Sequence, residues 1–133
     1  YRDRKFHIPE TVERTDPMSH GDLQKFFRSI HLLVVPSHFE TFANVAAEAV
    51  VLGTSVLVSE NVGFSEILRK AGLGRMVIKN FDDPERTLHA VKRLSATRVL
   101  KKESDRVAAL LDSHVVHRRI LRVLEGVLKR STA

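Results

Sequence analysis

The sequence contains no cysteine, which excludes disulfides and thiolate metal sites and agrees with a reducing compartment. No apolar run approaches the roughly 18 residues that a membrane-spanning helix needs. The opening "YRDRKFHIPE" lacks the apolar centre of a secretion signal. It also lacks an initiating Met, so the expectation is a segment of a longer protein. Aromatic residues make up 6% of the chain, and none interleaves the basic residues as stacking on nucleic-acid bases would require. Nucleic acid is therefore not an expected partner.

At 133 residues the chain suffices for one domain, or part of one, with a single core. Hydrophobic residues at 43% and charged residues at 29% are ordinary for a soluble globular protein. The net charge of +6 is unevenly placed. Residues 85 to 133 carry 12 Lys/Arg against 5 Asp/Glu, and residues 1 to 84 carry 10 against 11. A basic C-terminal third is most plainly a set of solvated helix faces. The functional alternative is attraction to an anionic membrane surface or a phosphorylated acceptor. The expected location is cytoplasmic, with peripheral attachment at the inner face of the membrane as the companion expectation.

Strand and helix patterns alternate along the chain. "KFHIP" (5 to 9) reads as a short strand and "ERTDP" as a turn. Leu23, Phe26, Phe27 and Ile30 follow the i, i+3, i+4, i+7 spacing of an amphipathic helix over 20 to 30. "HLLVVPS" (31 to 37) is a continuous apolar run stopped by Pro36, which predicts a strand buried on both faces. A helix over 44 to 52 closes at Gly53, and "TSVLVSE" (54 to 60) is a second buried strand.

"SEILRKAG" predicts a short helix capped by Ser65 and ended by Gly72, and "GRMVIKN" (74 to 80) a third buried strand. "DDPERTLHAVKRLSA" has an Asp cap with Pro84 in its first turn, and 99 to 111 reads as a further helix. Val116, Ile120, Val123, Leu124, Val127 and Leu128 give the last helix an apolar stripe. This order predicts βαβ units, a parallel Rossmann-like sheet flanked by helices and an α/β fold class.

In such sheets ligands lie beyond the carboxyl ends of the strands. "PSHFETFAN" is a loop at that position, and Asn44 is the expected cap of the helix that follows. The amides of Phe42, Ala43 and Asn44 would point at an anion bound there. Glu40 and Glu48 flank the helix start, eight residues apart, a span of about 12 Å at most at helical rise. Carboxylates suit vicinal hydroxyls, so a diphosphate with a sugar at each end has the matching reach. At an arbitrary spacing, however, two such acids are ordinarily a solvated loop residue and a solvated helix residue.

The surrounding residues favour the first reading. "VVPSHFETFANVAAEAVVLGTSVLVSENVGFSEIL" resembles the donor-binding segment of GT-B glycosyltransferases of family 4. The resemblance lies in Pro36-Ser37, Glu40-Thr41-Phe42-Ala43, Glu48-Ala49, Gly53, Val56 to Val58 and Glu66-Ile67, in that order. It implies that residues 1 to 133 are a partial C-terminal nucleotide-sugar-binding domain, the C-terminal half of a GT-B fold truncated at its N-terminus.

It further implies a retaining glycosyltransferase that moves a hexose from a nucleotide diphosphate sugar to a glycan or lipid-linked acceptor. Glu40 would be catalytic, contacting the transferred sugar, while Phe42, Ala43, Asn44 and Val45 would meet sugar and diphosphate and Glu48 would hold the ribose. No metal or other cofactor is implied. The partners implied are the donor, the acceptor and a missing N-terminal domain, without which the fragment should not turn over. His114 and His117 are three apart on a helix, with no carboxylate nearby to complete a metal site.

Two residues depart from the family pattern. Ala43 stands where Gly is usual, so a positive φ there would be strained, and Thr41 replaces the commoner Gly or Pro. The alternatives are a GT-B-like sugar-nucleotide epimerase and a non-catalytic Rossmann-like binding module.

Overall fold

The computed structural model describes residues 9–113. The expected strand at 5 to 9, apart from Pro9, the last helix with its stripe, and His114 with His117 lie outside the described residues. Residues 9 to 18 are exposed, and their one turn is closed by the Val12 amide on the Pro9 carbonyl, four residues before the place expected.

Helix α1 (His20–Ser29) starts where the Ser19 hydroxyl accepts the Asp22 amide, and it buries Phe27. Strand β1 (Leu32–Val35) leads through the 36–43 loop into α2 (Asn44–Val51). Strand β2 (Ser55–Ser59) follows, then α3 (Phe64–Lys70). A 3₁₀ turn (Gly74–Met76) runs into the two-residue strand β3 (Val77–Ile78). Helices α4 (Pro84–Ser95) and α5 (Lys101–Leu111) complete the described chain.

The strands form a parallel sheet in the order β1-β2-β3, with Leu32 opposite Ser55 and Val58 opposite Val77. The α/β class and parallel sheet expected from the alternation are therefore present. Every residue of β2 is buried, as a central strand between two neighbours and two helical layers requires. The core gathers Val56, Leu57 and Val58 with Val50 of α2, Leu68 of α3, Leu94 of α4 and Val107 of α5.

Strand β1 departs from the expectation of burial on both faces. It pairs on one side only among the described residues, and Val34 is 37% exposed. The apolar run reported a strand correctly but could not report which neighbours would cover it. The third strand is also shorter than expected, because the Met76 amide bonds the Leu73 carbonyl and turns residues 74 to 76 out of extended geometry. Ser65 does not cap α3. It lies inside the helix, buried, and its hydroxyl donates to the Glu60 carbonyl at 2.9 Å. Asp83 caps α4 as expected, accepting the Arg86 amide at 3.0 Å, with Pro84 next.

Candidate functional site

The site lies where β1 and β2 end and their loops approach one another. Leaving β1, the chain is tied down at Ser37, whose carbonyl accepts the Ser59 hydroxyl at 2.7 Å. It is tied again where Glu40 forms an isolated parallel bridge to Val62. The Gly63 amide donates to the Glu40 carbonyl at 3.0 Å, and the Phe64 amide to the Phe42 carbonyl at 3.1 Å. Phe42 and Phe64 pack edge to face with ring centroids 5.6 Å apart. The approach is so close that a Cβ on Gly63 would stand 2.0 Å from the Thr41 carbonyl oxygen. Only glycine fits there.

Helix α2 begins differently from the expectation. Asn44 is its first residue rather than its cap; the cap position belongs to Ala43, in the left-handed region at φ 67° and ψ 66°. A positive φ is strained for alanine, and the backbone adopts it here nonetheless. The Ala43 carbonyl accepts the amides of Ala46 and Ala47, and no side chain caps the helix. The amides of Asn44 and Val45 therefore belong to the unpaired first turn, with the positive end of the helix behind them. A left-handed residue followed by helical ones also makes successive amides converge into a concavity suited to an anion.

The six site residues from the sequence reading do not all meet in one place. Phe42, Asn44 and Glu48 line a cavity of about 610 Å³ together with Ala47 and Val51 of the same helix. Its far wall is Ile67 of α3 with Leu110 and Leu111 of α5. Glu40 is half-buried in the loop, Ala43 is buried under the turn and Val45 is exposed, and none of the three lines the cavity. Glu48 is exposed, one turn inside α2. Among the described residues, no side chain pairs with the carboxylate of Glu40 or of Glu48.

Leu110 and Leu111 were not anticipated as part of this wall. Their signal was the spacing of Val107, Leu110 and Leu111, which marks an apolar helix face without saying what it faces. Among the described residues no group of three or more His, Asp or Glu side chains is placed to hold a metal ion. No helix among them is long and apolar enough to cross a membrane.

Comparison with known proteins extends this picture. The chain is 36% identical over 87 residues to D-inositol 3-phosphate glycosyltransferase 1 of Catenulispora acidiphila, covering 65% of this chain and 20% of that protein. It is 32% identical over 87 residues to the D-inositol 3-phosphate glycosyltransferase of Acidothermus cellulolyticus, covering 65% and 19%. The Mycobacterium bovis enzyme of that name is 39% identical over 70 residues, 53% of this chain and 15% of the enzyme. The match thus spans about a fifth of the length of these relatives. No solved structure gives a significant match. Residues 1–109 match the family described as glycosyl transferases group 1, and with four-fifths of its length inside that match the chain belongs to this family.

Proposed function

We propose that these residues form the donor-binding part of a longer, retaining glycosyltransferase. The donor is a nucleotide diphosphate hexose, and the acceptor is a glycan or a lipid-linked acceptor. The observation that carries this reading is the arrangement of residues 40 to 48. A carboxylate sits on a pinned loop, a left-handed turn follows, the unpaired amides of α2 come next, and a second carboxylate lies one turn further on.

Each part has a physical task in this reading. The amides of Asn44 and Val45, with the helix dipole behind them, take the negative charge of the diphosphate as the bond to the sugar breaks. That charge grows in the transition state, so donors already in place favour it over the ground state. Glu48 accepts two hydroxyls of the ribose, and Glu40 accepts hydroxyls of the transferred hexose. The Glu40–Gly63 pairing keeps the loop from yielding when substrate arrives, which preserves the spacing the chemistry requires. Independence from metal rests on the family resemblance, and the amides and dipole supply electrostatic stabilisation of the kind a cation could otherwise give.

The test is calorimetric titration of the full-length protein containing this segment with UDP-, GDP- and ADP-hexoses. Tight binding of one donor is expected. Glu48→Ala should weaken it about tenfold to a hundredfold, in line with roughly 1.5–3 kcal/mol for hydrogen bonds to a charged group. Glu40→Ala should lower turnover more than affinity. Affinity indifferent to Glu48→Ala, or no binding to any of the three donors, would overturn the reading and favour a non-catalytic module.

A further inference from the structure

The end of the sheet opposite the loops carries a different character. Hydrogen bonds bring its parts together: the Thr54 hydroxyl donates to the Phe27 carbonyl in the interior, the Ser55 hydroxyl to the Thr97 carbonyl, and the Val99 amide to the Gly53 carbonyl. Around this end stand six exposed cations: Arg28, Lys92, Arg93, Arg98, Lys101 and Lys102. Two acids lie on the helix that begins here, and both are engaged, Glu103 by Arg75 and Asp105 by Lys101. Arg93 and Arg98 donate instead to the main-chain carbonyls of Arg75 and Arg28. Their guanidinium groups are oriented without being neutralised.

Helix dipoles account for part of this cluster only. Arg28, Lys92 and Arg93 lie in the last turns of α1 and α4, where cations are favourable. Lys101 and Lys102 open α5, where the helix terminus is positive and cations are disfavoured. Between Arg98 and these lysines Leu100 projects into solvent, 54% exposed. Cations set against a local dipole around a projecting leucine fit a surface that is both anionic and penetrable by an apolar side chain.

We infer that this end of the molecule docks on a bilayer containing anionic lipid, with Leu100 entering the interface among the basic side chains. The inference is independent of the donor reading, because it uses no residue of the loop site. Docked in this way, the loops with Glu40 and Glu48 point away from the lipid, toward an acceptor that extends from the surface or arrives from solution.

The experiment is co-sedimentation of the protein with vesicles of phosphatidylglycerol in phosphatidylcholine, and of phosphatidylcholine alone, at low and high salt. Binding is expected only to the anionic vesicles and should fall with salt. The ammonium groups of Lys92 and Lys102 have no described partner, so Lys92→Glu/Lys102→Glu spares the fold and should weaken binding at least tenfold. Leu100→Ser should weaken it severalfold, whereas Lys79→Glu, a single charge reversal of the same kind at the loop end, should leave it intact.

Four results would overturn the inference. They are no binding of the wild type, equal loss in Lys79→Glu, loss caused only by Arg118→Glu/Arg122→Glu in the basic C-terminal segment outside the described residues, and displacement by duplex DNA from a site indifferent to Leu100→Ser. The last would assign the cations to nucleic acid.

Discussion

Ala43 is where the loop's geometry meets its cost. A left-handed alanine is unfavourable by about 1–2 kcal/mol relative to glycine. Glycine would lose roughly 0.4–1 kcal/mol to the greater freedom of its unfolded chain, and about 0.8 kcal/mol for the buried methyl. These effects nearly cancel, so Ala43→Gly should change stability by less than about 1 kcal/mol. Ala43→Val adds a branched side chain to a left-handed position that is 2% exposed, and it should cost more than about 2 kcal/mol. Urea denaturation of both variants checks the pair. Gly63 gives the converse case. Its missing Cβ is required by the Thr41 carbonyl at 2.0 Å, and backbone cannot swing aside as a side-chain tip can. Gly63→Ala should therefore part the two loops, at about 3 kcal/mol in stability and with a clear loss of donor affinity. An alanine variant as stable as the wild type would show that the two loops do not approach closely at Gly63.

At the scale of elements, α5 is secured by one acid. Arg75 and Glu103 meet through two parallel contacts of 3.0 Å, and the same carboxylate accepts the Leu100 amide at 2.9 Å. Leu100 has no side-chain acceptor, so Glu103 alone supplies side-chain capping at this helix start. The Arg75 hydrogen bonds hold the Glu103 carboxyl below its ordinary value of 4.5; burial opposes this, and the Leu100 amide and the charges of Arg75 and Arg106 support it. A carboxyl depressed on folding stabilises fully above its unfolded pKa and loses that contribution as pH falls through its folded pKa. Stability should thus decline as pH drops below about 4.5, and Glu103→Gln should flatten that part of the curve, as thermal melts across pH 2 to 7 would record. Elements of this kind were legible unevenly. The periods of α1 and α4, the Asp83 cap and the buried run of β2 are local signals, readable from residues a few positions apart. The exposure of β1, the turn at 74 to 76 and the Arg75–Glu103 clasp depend on partners distant in sequence. In the candidate site, Glu40 and Glu48 could be singled out by order along the chain, but the wall formed by Leu110 and Leu111 could not.

At the scale of the whole molecule the two ends of the sheet have separate characters. The loop end bears Glu40, Glu48 and Asp82 with Lys79, and Glu60 and Asp83 there are paired with Arg69 and Arg86, while the opposite end bears the basic cluster. The five residues of β2 hold the ends roughly 13 Å apart at strand rise, with a fully buried core between them. Substitutions that distant, with no shared partner, ordinarily add to within about 0.5 kcal/mol. A donor present at a hundred times its dissociation constant should stabilise the fold by about 2.7 kcal/mol. That gain should shrink in Glu48→Ala, persist in Lys92→Glu/Lys102→Glu, and shrink no further when the substitutions are combined. Thermal melts with and without donor measure all four proteins. A combined effect well outside the sum would mean that occupancy at one end is felt at the other, through a rearrangement of the central strand and its packed helices.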